Sequence, residues 1–236
     1  MGIQSTSRLT SDLRTVGIVD NDPFTLSALC GVIGSMPGYR VPWAERSAIA
    51  ALGLCAEPGD EPDVLLADVM MPDMSGITLC RLIRARTASI PVLAITSYNL
   101  DVYACKASEA GAQGIVNKDD PAVIAAAVAA VASGAVWPYR AARSDGTEET
   151  VRFTSAQIAH RQVSASRAQR AIAALSRREL DVVRLTCETL APFSDIASRL
   201  GCGESTVKTL AQRAYRKFGV SSRRELMALW TEGLLS

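Results

Sequence analysis

Apolar residues in the first half of the chain come in short unbroken runs, and the segments between them are apolar at helical spacing. Thr15–Val19, Val64–Ala67 and Ile90–Ile95 are such runs, each bounded by turn residues, as expected of strands buried in a parallel sheet. Val41–Ala44 predicts a shorter strand. Pro23 to about Ser35 predicts a helix with Phe24, Leu26, Leu29, Val32 and Ile33 on one face and Pro23 suited to its first position. Further helices are predicted over Ser47–Cys55, over Ile77–Arg86 with Leu79, Leu82 and Ile83 inward, and over the Ala/Val-rich stretch Pro121–Ala135. Strands alternating with helices predict an α/β doubly wound parallel sheet, whose chemistry belongs at the carboxyl ends of the strands.

The pattern changes in the last third. Ser176-Arg177-Arg178-Glu179 has the S-x-x-E form of a capping box, and Leu180, Val183 and Leu185 follow it at helical spacing. Ser194–Gly201 predicts a short helix ending at glycine, and a second helix opens at Glu204-Ser205-Thr206 and runs to about Phe218. Two short helices joined by a tight glycine-containing turn make a helix-turn-helix in a small all-α domain. Val207, Leu210, Ala211, Ala214 and Phe218 form the apolar stripe of the second helix. Lys208, Thr209, Gln212, Arg213 and Arg216 occupy its other face. Between the halves, residues 141–172 read as a polar linker, with a turn at Ser144-Asp145-Gly146-Thr147 and helix from about Ser155. Residues 1–13 read as a flexible tail.

With 48% hydrophobic and 21% charged residues, the 236-residue chain has the composition of a soluble globular protein of one or two domains. No apolar segment approaches the roughly 18 residues that cross a bilayer. The six cysteines are scattered singly and read as small buried hydrophobes in a reducing compartment, so a cytoplasmic protein without membrane partners is expected. Met1-Gly2-Ile3-Gln4-Ser5-Thr6 matches the myristoylation pattern, but nothing polybasic supports it. His160, the lone histidine, lies in the linker and is expected at the surface, which excludes a Ser-His-Asp triad or a multi-histidine metal centre. The net charge of +1 conceals an asymmetry. Arg14–Arg140 carries nine Lys/Arg against thirteen Asp/Glu, a balance of −4; Ala141–Ser236 carries fifteen against ten, a balance of +5. Different partners for the two halves follow.

The first predicted strand delivers Asp20, Asn21 and Asp22, and the strand Val64–Ala67 delivers Asp68. Carboxylates gathered at one sheet edge make a hard oxygen-donor site that suits Mg²⁺ better than zinc. The run D-x-x-M-P-x-x-x-G from Asp68 to Gly76 resembles the phosphoacceptor segment of receiver domains from two-component response regulators, and Gly111–Asp119 resembles their final strand with its terminal lysine. The resemblance implies a five-stranded flavodoxin-like receiver over residues 14–140, with Asp68 as phosphoacceptor. Mg²⁺ would be held by Asp20, Asp68 and the Met70 backbone carbonyl, with Asn21 or Asp22 as a further ligand. Thr96 would be the hydroxyl that moves toward the phosphoryl group, with Ser97 as its neighbour or as cap of the next helix, and Lys118 the ammonium that faces the phosphoryl oxygens. Two departures from the pattern stand out. Asn21 replaces a usual metal-ligating aspartate, removing a unit of negative charge at contact distance, and Ile115 replaces the aromatic residue whose swing accompanies the threonine's.

Leu175–Glu179, Ile196-Ala197, Glu204–Lys208, Lys217–Val220 and Ser222-Arg223 together resemble the LuxR-type DNA-binding domain, over residues 173–236. The resemblance implies base contacts from Lys208, Thr209 and Gln212 and phosphate contacts from Thr206, Arg213, Arg216 and Lys217. Leu210 stands where the family has His or Tyr, and Ala191-Pro192-Phe193 where it has a glycine and polar residues. The expected protein is a response regulator of the NarL/LuxR class, not an enzyme, with a sensor histidine kinase, double-stranded DNA and a second copy of itself as partners. Two alternatives are a phosphorylation-independent receiver attached to constitutive DNA binding, suggested by Asn21 and Ile115, and a phosphatase using Asp20 in a D-x-D motif. The latter pattern wants a threonine where Phe24 stands, and Thr25 is one place late.

Overall fold

The computed structural model describes residues 13–142 and 147–231. The expected tail and myristoylation pattern, and Ser144–Gly146 of the expected turn, lie outside the described residues. The chain divides into two compact units between Val163 and Ser164.

The N-terminal unit is built on the parallel strands β1 (Arg14–Val19), β4 (Val64–Asp68), β5 (Val92–Thr96) and β6 (Gly114–Asn117), with β2 (Tyr39–Arg40) and β3 (Ala44–Glu45) both paired to β1 at the outer edge. The strand expected at Val41–Ala44 is therefore interrupted. Pro42 has no N–H to give to a ladder, and the Trp43 ring lies over Gly17, where an added Cβ would come within 2.4 Å of it. The helices are α1 (Pro23–Gly34), α2 (Ala48–Leu54), α3 (Gly76–Arg86), α4 (Leu100–Glu109) and α5 (Pro121–Ala132).

Alternate strand residues face opposite layers. Leu65, Ala67, Val92, Ala94 and Ile115 pack in one core with residues of α3 and α4. Val16, Ile18, Leu66, Leu93, Ile95 and Val116 pack in the other with α1 and α5. Two inward expectations are corrected. Phe24 is 83% exposed in the first turn of α1, and Leu82 is 38% exposed on α3. The face of α3 that meets the core runs through Leu79, Cys80, Ile83 and Arg84. Leu82, about 100° from Ile83 around the helix, points away from it. Of the cysteines, all free, only Cys80 and Cys187 are buried as expected; Cys30, Cys55 and Cys202 are half-buried and Cys105 is exposed on α4.

The expected linker carries regular structure. Tyr139–Ala142 (β7) and Glu148–Val151 (β8) form an antiparallel ribbon, and α6 runs from Ala156 to Ala173. Ala141, Val151 and Phe153 are buried in the same core as Ala104 and Ala107 of α4. His160 is half-buried rather than exposed, its Nδ1 lying 2.5 Å from the Arg84 carbonyl oxygen.

In the C-terminal unit, α7 (Arg177–Thr189), α8 (Phe193–Leu200), α9 (Glu204–Phe218) and α10 (Arg223–Thr231) surround two small apolar clusters. The capping box at Ser176 and Glu179 is formed in both directions. The buried stripe of α7 is Val182, Val183, Thr186 and Cys187, with Leu180 and Leu185 at its half-exposed margins. Among the described residues no helix is long and apolar enough to cross a membrane.

Gly76 sits where the loop after β4 folds back on the strand end, its N–H bonded to the Val69 carbonyl at 3.0 Å. A Cβ there would lie 2.0 Å from the Asp68 carbonyl oxygen. Gly76→Ala must move backbone and is expected to cost about 1–3 kcal/mol of unfolding free energy, an overpacking penalty, measured by denaturant titration.

Candidate phosphoacceptor site and nucleic-acid interface

Parallel register brings the strand ends to one level. Val19 pairs with Ala67, Asp68 with Ile95, and Thr96 with Asn117. Asp20 and Lys118 are each the first residue past their strands, so Asp20, Asp68, Thr96 and Lys118 meet at the carboxyl edge of the sheet. Asp20 is 0% exposed and Asp68 4%. The Lys118 ammonium lies 2.5 Å from Asp20 Oδ2 and 3.1 Å from Asp68 Oδ1. Asp20 Oδ1 accepts from the Asp22 N–H at 3.0 Å, whereas the buried Oδ2 has no hydrogen bond beyond its ion contact with lysine.

Burial pushes the Asp68 carboxyl above its ordinary value, with Asp20 adding to the rise and Lys118 opposing it. Thr96 is fully buried and its hydroxyl oxygen accepts from the Tyr98 N–H at 3.1 Å. The backbone ties strands together here as well, the Lys118 N–H donating to the Thr96 carbonyl at 3.0 Å.

Around this centre the neighbours have structural duties. Asp22 is the N-cap of α1, accepting from the Phe24 N–H at 3.0 Å and the Thr25 hydroxyl at 2.9 Å. Those bonds hold its carboxyl below the usual range. The Asn21 backbone carbonyl accepts from Arg46 Nε at 3.2 Å. Asp73, in the loop after Asp68, accepts from the Ser47 hydroxyl at 2.8 Å and the Ile49 N–H at 3.2 Å, fastening the loop to the start of α2. Ser97 does not cap α4; Asn99 does. Met70 is 45% exposed beside Tyr103, whose hydroxyl meets its sulfur at 3.6 Å. Ile115 is buried in the core that includes Ala104 and Ala107 of α4.

In the C-terminal unit the turn between α8 and α9 is made by Gly201, whose φ of 62° is the left-handed cap conformation. Val207, Ala211, Ala214 and Phe218 are buried, which leaves Thr206, Lys208, Thr209, Gln212, Arg213 and Arg216 exposed along α9. Lys208 pairs with Glu204 at 2.7 Å, one turn back, and the Thr209 hydroxyl donates to the Ser205 carbonyl at 2.9 Å. Ser205, Thr206, Thr209, Leu210 and Arg213 line a shallow groove, with the half-buried Leu210 reaching back to the core between α7 and α9.

Lys217 is also exposed on α9 and has an internal partner as well. Its ammonium lies 2.6 Å from Glu179 Oε2 and 2.9 Å from the Ala174 carbonyl, so it braces α9 against α7. The lead-in to α8 is also distinctive: Leu190 ends α7 with a φ of 54°, and Arg223 donates to the Ala191 carbonyl at 2.8 Å while lying over the Phe193 ring.

An acid–lysine cluster on a doubly wound sheet, followed in the same chain by a helix-turn-helix with a basic outer face, is the construction of a two-domain regulator. The chain belongs to the LuxR-type two-component response regulators. Residues 16–129 match the response regulator receiver domain, and residues 173–230 match the bacterial regulatory proteins of the luxR family. It is 30% identical to the DNA-binding transcriptional activator DevR/DosR of Mycobacterium tuberculosis over 219 residues, covering 92% of this chain and 94% of that one. The nitrate/nitrite response regulator NarL of Escherichia coli is 27% identical over 219 residues, with the same coverage. A crystal structure of a LuxR-family two-component response regulator from Aurantimonas superposes with a TM-score of 0.50 at 31% identity, over 52% of this chain and 88% of that one.

The Lys217 contact, with the N–H of Ser176, carries the Glu179 carboxyl from the ordinary 4.5 down to about 2. A depressed carboxyl stabilises the fold above its unfolded value and loses that contribution as pH falls through its folded one. The C-terminal unit should therefore weaken as pH drops from 4.5 toward 2. Glu179→Gln should start less stable and lack that component of the decline, which amide-resolved NMR of the full chain would follow.

Proposed function

We propose that this chain is a transcription regulator whose receiver accepts a phosphoryl group on Asp68 from a partner histidine kinase and whose α9 binds double-stranded DNA. The observation that carries the reading is the single ammonium of Lys118 shared by two buried carboxylates at the sheet edge. An attacking Asp68 oxygen would form a P–O bond as the donor's P–N bond breaks, and Lys118, already in place, would turn from the Asp20 carboxylate to the new phosphoryl oxygens. Thr96 is positioned to supply a hydroxyl donor on the same edge.

The donor set suits Mg²⁺ in part. Asp20, Asp68 and the Met70 carbonyl are hard oxygens, and Asp20 Oδ2 is buried with the Lys118 ammonium as its one close partner, an anionic oxygen that a cation would share. Asn21 would add a neutral amide oxygen. Asp22 is committed to the cap of α1, and no group of three acidic, His or Cys side chains fit for a metal occurs among the described residues. Bound Mg²⁺ would supply charge neutralisation around the phosphoryl oxygens, and with Asn21 in place of a carboxylate its affinity is expected to be low.

The family is one of DNA-binding transcription regulators rather than enzymes, and the cap made by Asp22 takes away the second acid of a D-x-D phosphatase. On α9, Lys208, Thr209 and Gln212 would face base edges while Thr206, Arg213 and Arg216 face phosphates. Lys217, exposed at the end of α9, would join them while its ammonium also pairs with Glu179. The active form would be a homodimer reading half-sites about one helical turn apart, in the cytoplasm.

Asp68→Asn should abolish labelling by acetyl phosphate while leaving the far-ultraviolet circular dichroism unchanged; label retained on another residue would refute the assignment. Lys208→Ala should cost about 1–3 kcal/mol at the preferred site and little on random DNA. Arg216→Ala should weaken both alike and reduce the salt slope by about 1, as read by fluorescence anisotropy across a salt series.

A further inference from the structure

The β7–β8 ribbon lies along α4 and is fastened to it at both ends. At the first turn of α4, Asp101 Oδ1 accepts from the Tyr139 hydroxyl at 2.8 Å and from the Ala142 N–H at 2.9 Å. At the last turn, the Ser108 hydroxyl donates to the Arg152 carbonyl at 2.5 Å. Between these pins the ribbon's buried face, Ala141, Val151 and Phe153, packs with Ala104 and Ala107. The buried residues of α4 in this contact are alanines, and the polar pins at its two ends fix the register of ribbon on helix. Burial and the Asp101 carboxylate push the Tyr139 phenol up to about 12, which keeps it a donor at any ordinary pH.

The ribbon runs directly into α6. Gln113 Nε2 donates to the Thr154 carbonyl at 3.1 Å, and His160 in the second turn of α6 meets the Arg84 carbonyl. Arg84 is itself fully buried, donating to the carbonyls of Gly111, Thr87 and Ile90 and to Gln113 Oε1. That end of the ribbon is therefore fixed to a rigid floor. The α4 end hangs on the turn Thr96–Asn99, whose Tyr98 N–H is bonded to the Thr96 hydroxyl.

We propose that the β7–β8 ribbon is the output latch of the receiver: it registers the position of α4 through Asp101 and Ser108 and transmits it to the start of α6. The proposal rests on Asp68 being the phosphoacceptor. When the Thr96 side chain rotates toward a phosphoryl group, the Tyr98 N–H loses its acceptor, the turn leading into α4 is released, and the helix carries Asp101 away from the Tyr139 hydroxyl and the Ala142 N–H. Ile115 is an aliphatic side chain in the same core as α4, so no ring swings at that position. The ribbon supplies the route from the site to the outside that such a ring would otherwise give.

The test is hydrogen exchange of residues 139–153 in the full chain, with and without beryllofluoride and Mg²⁺, beside acetyl phosphate labelling of the same samples. In the wild type, beryllofluoride should speed exchange of the ribbon amides by roughly five- to tenfold, the scale of one lost hydrogen bond. Tyr139→Phe, which removes one hydroxyl and keeps the ring, and Ser108→Ala should label normally. Both should show the faster exchange already without beryllofluoride and little further change with it. Normal labelling with ribbon exchange that ignores beryllofluoride, or variants that respond as the wild type does, would overturn the latch alone. Absence of labelling in the wild type would overturn the reading of Asp68 and the latch with it.

Discussion

The structure turns on two buried carboxylates held at contact distance by one ammonium. Asp20 and Asp68 repel each other in a site almost closed to water, and the protein tolerates them because Lys118 lies 2.5 and 3.1 Å away. Backbone sets the frame of this arrangement: the parallel register that levels β1, β4, β5 and β6, the bond from Lys118 N–H to the Thr96 carbonyl, and the fold-back at Gly76 that shapes the loop after Asp68. A site so balanced responds to added charge. A phosphoryl group on Asp68, as proposed, would add negative charge where one lysine already serves two acids, and Thr96 brings a buried hydroxyl to the same sheet edge.

Strand ends were legible because a carboxylate or lysine that terminates an apolar run declares both the strand and the edge. Asp20, Asp68, Thr96 and Lys118 could be placed on one edge from such runs and the family resemblance. The helix-turn-helix was equally plain, since the stripe Val207, Ala211, Ala214 and Phe218 divides α9 cleanly and glycine marks the turn. Periodicity misled in the first turn of an element, as with Phe24, and where the buried face is centred a residue away, as with Leu82.

Polar residues that work inside the structure were invisible to that reading. Arg84 in a helix reads as a solvated charge, yet it is fully buried among carbonyls separated from it in sequence by up to 27 residues. Lys217 reads as part of a basic face, yet serves Glu179 from 38 residues away. His160 and the ribbon reads as linker because Asp101, Ser108 and Gln113, which hold that segment, lie in other elements. Hydrophobic spacing records what a local element buries; it carries no record of which distant carbonyl a side chain will reach.

The two units share one chain, and in the proposed regulator the acidic edge of the first governs the basic helix of the second. Affinity for DNA at one fixed salt concentration, compared with and without beryllofluoride and Mg²⁺, tests that most directly. Adding the mimic should change affinity or self-association clearly in the wild type and leave both unchanged in Asp68→Asn. Equal, tight binding under both conditions would contradict that control and leave the receiver a passive partner of a constitutive DNA-binding domain.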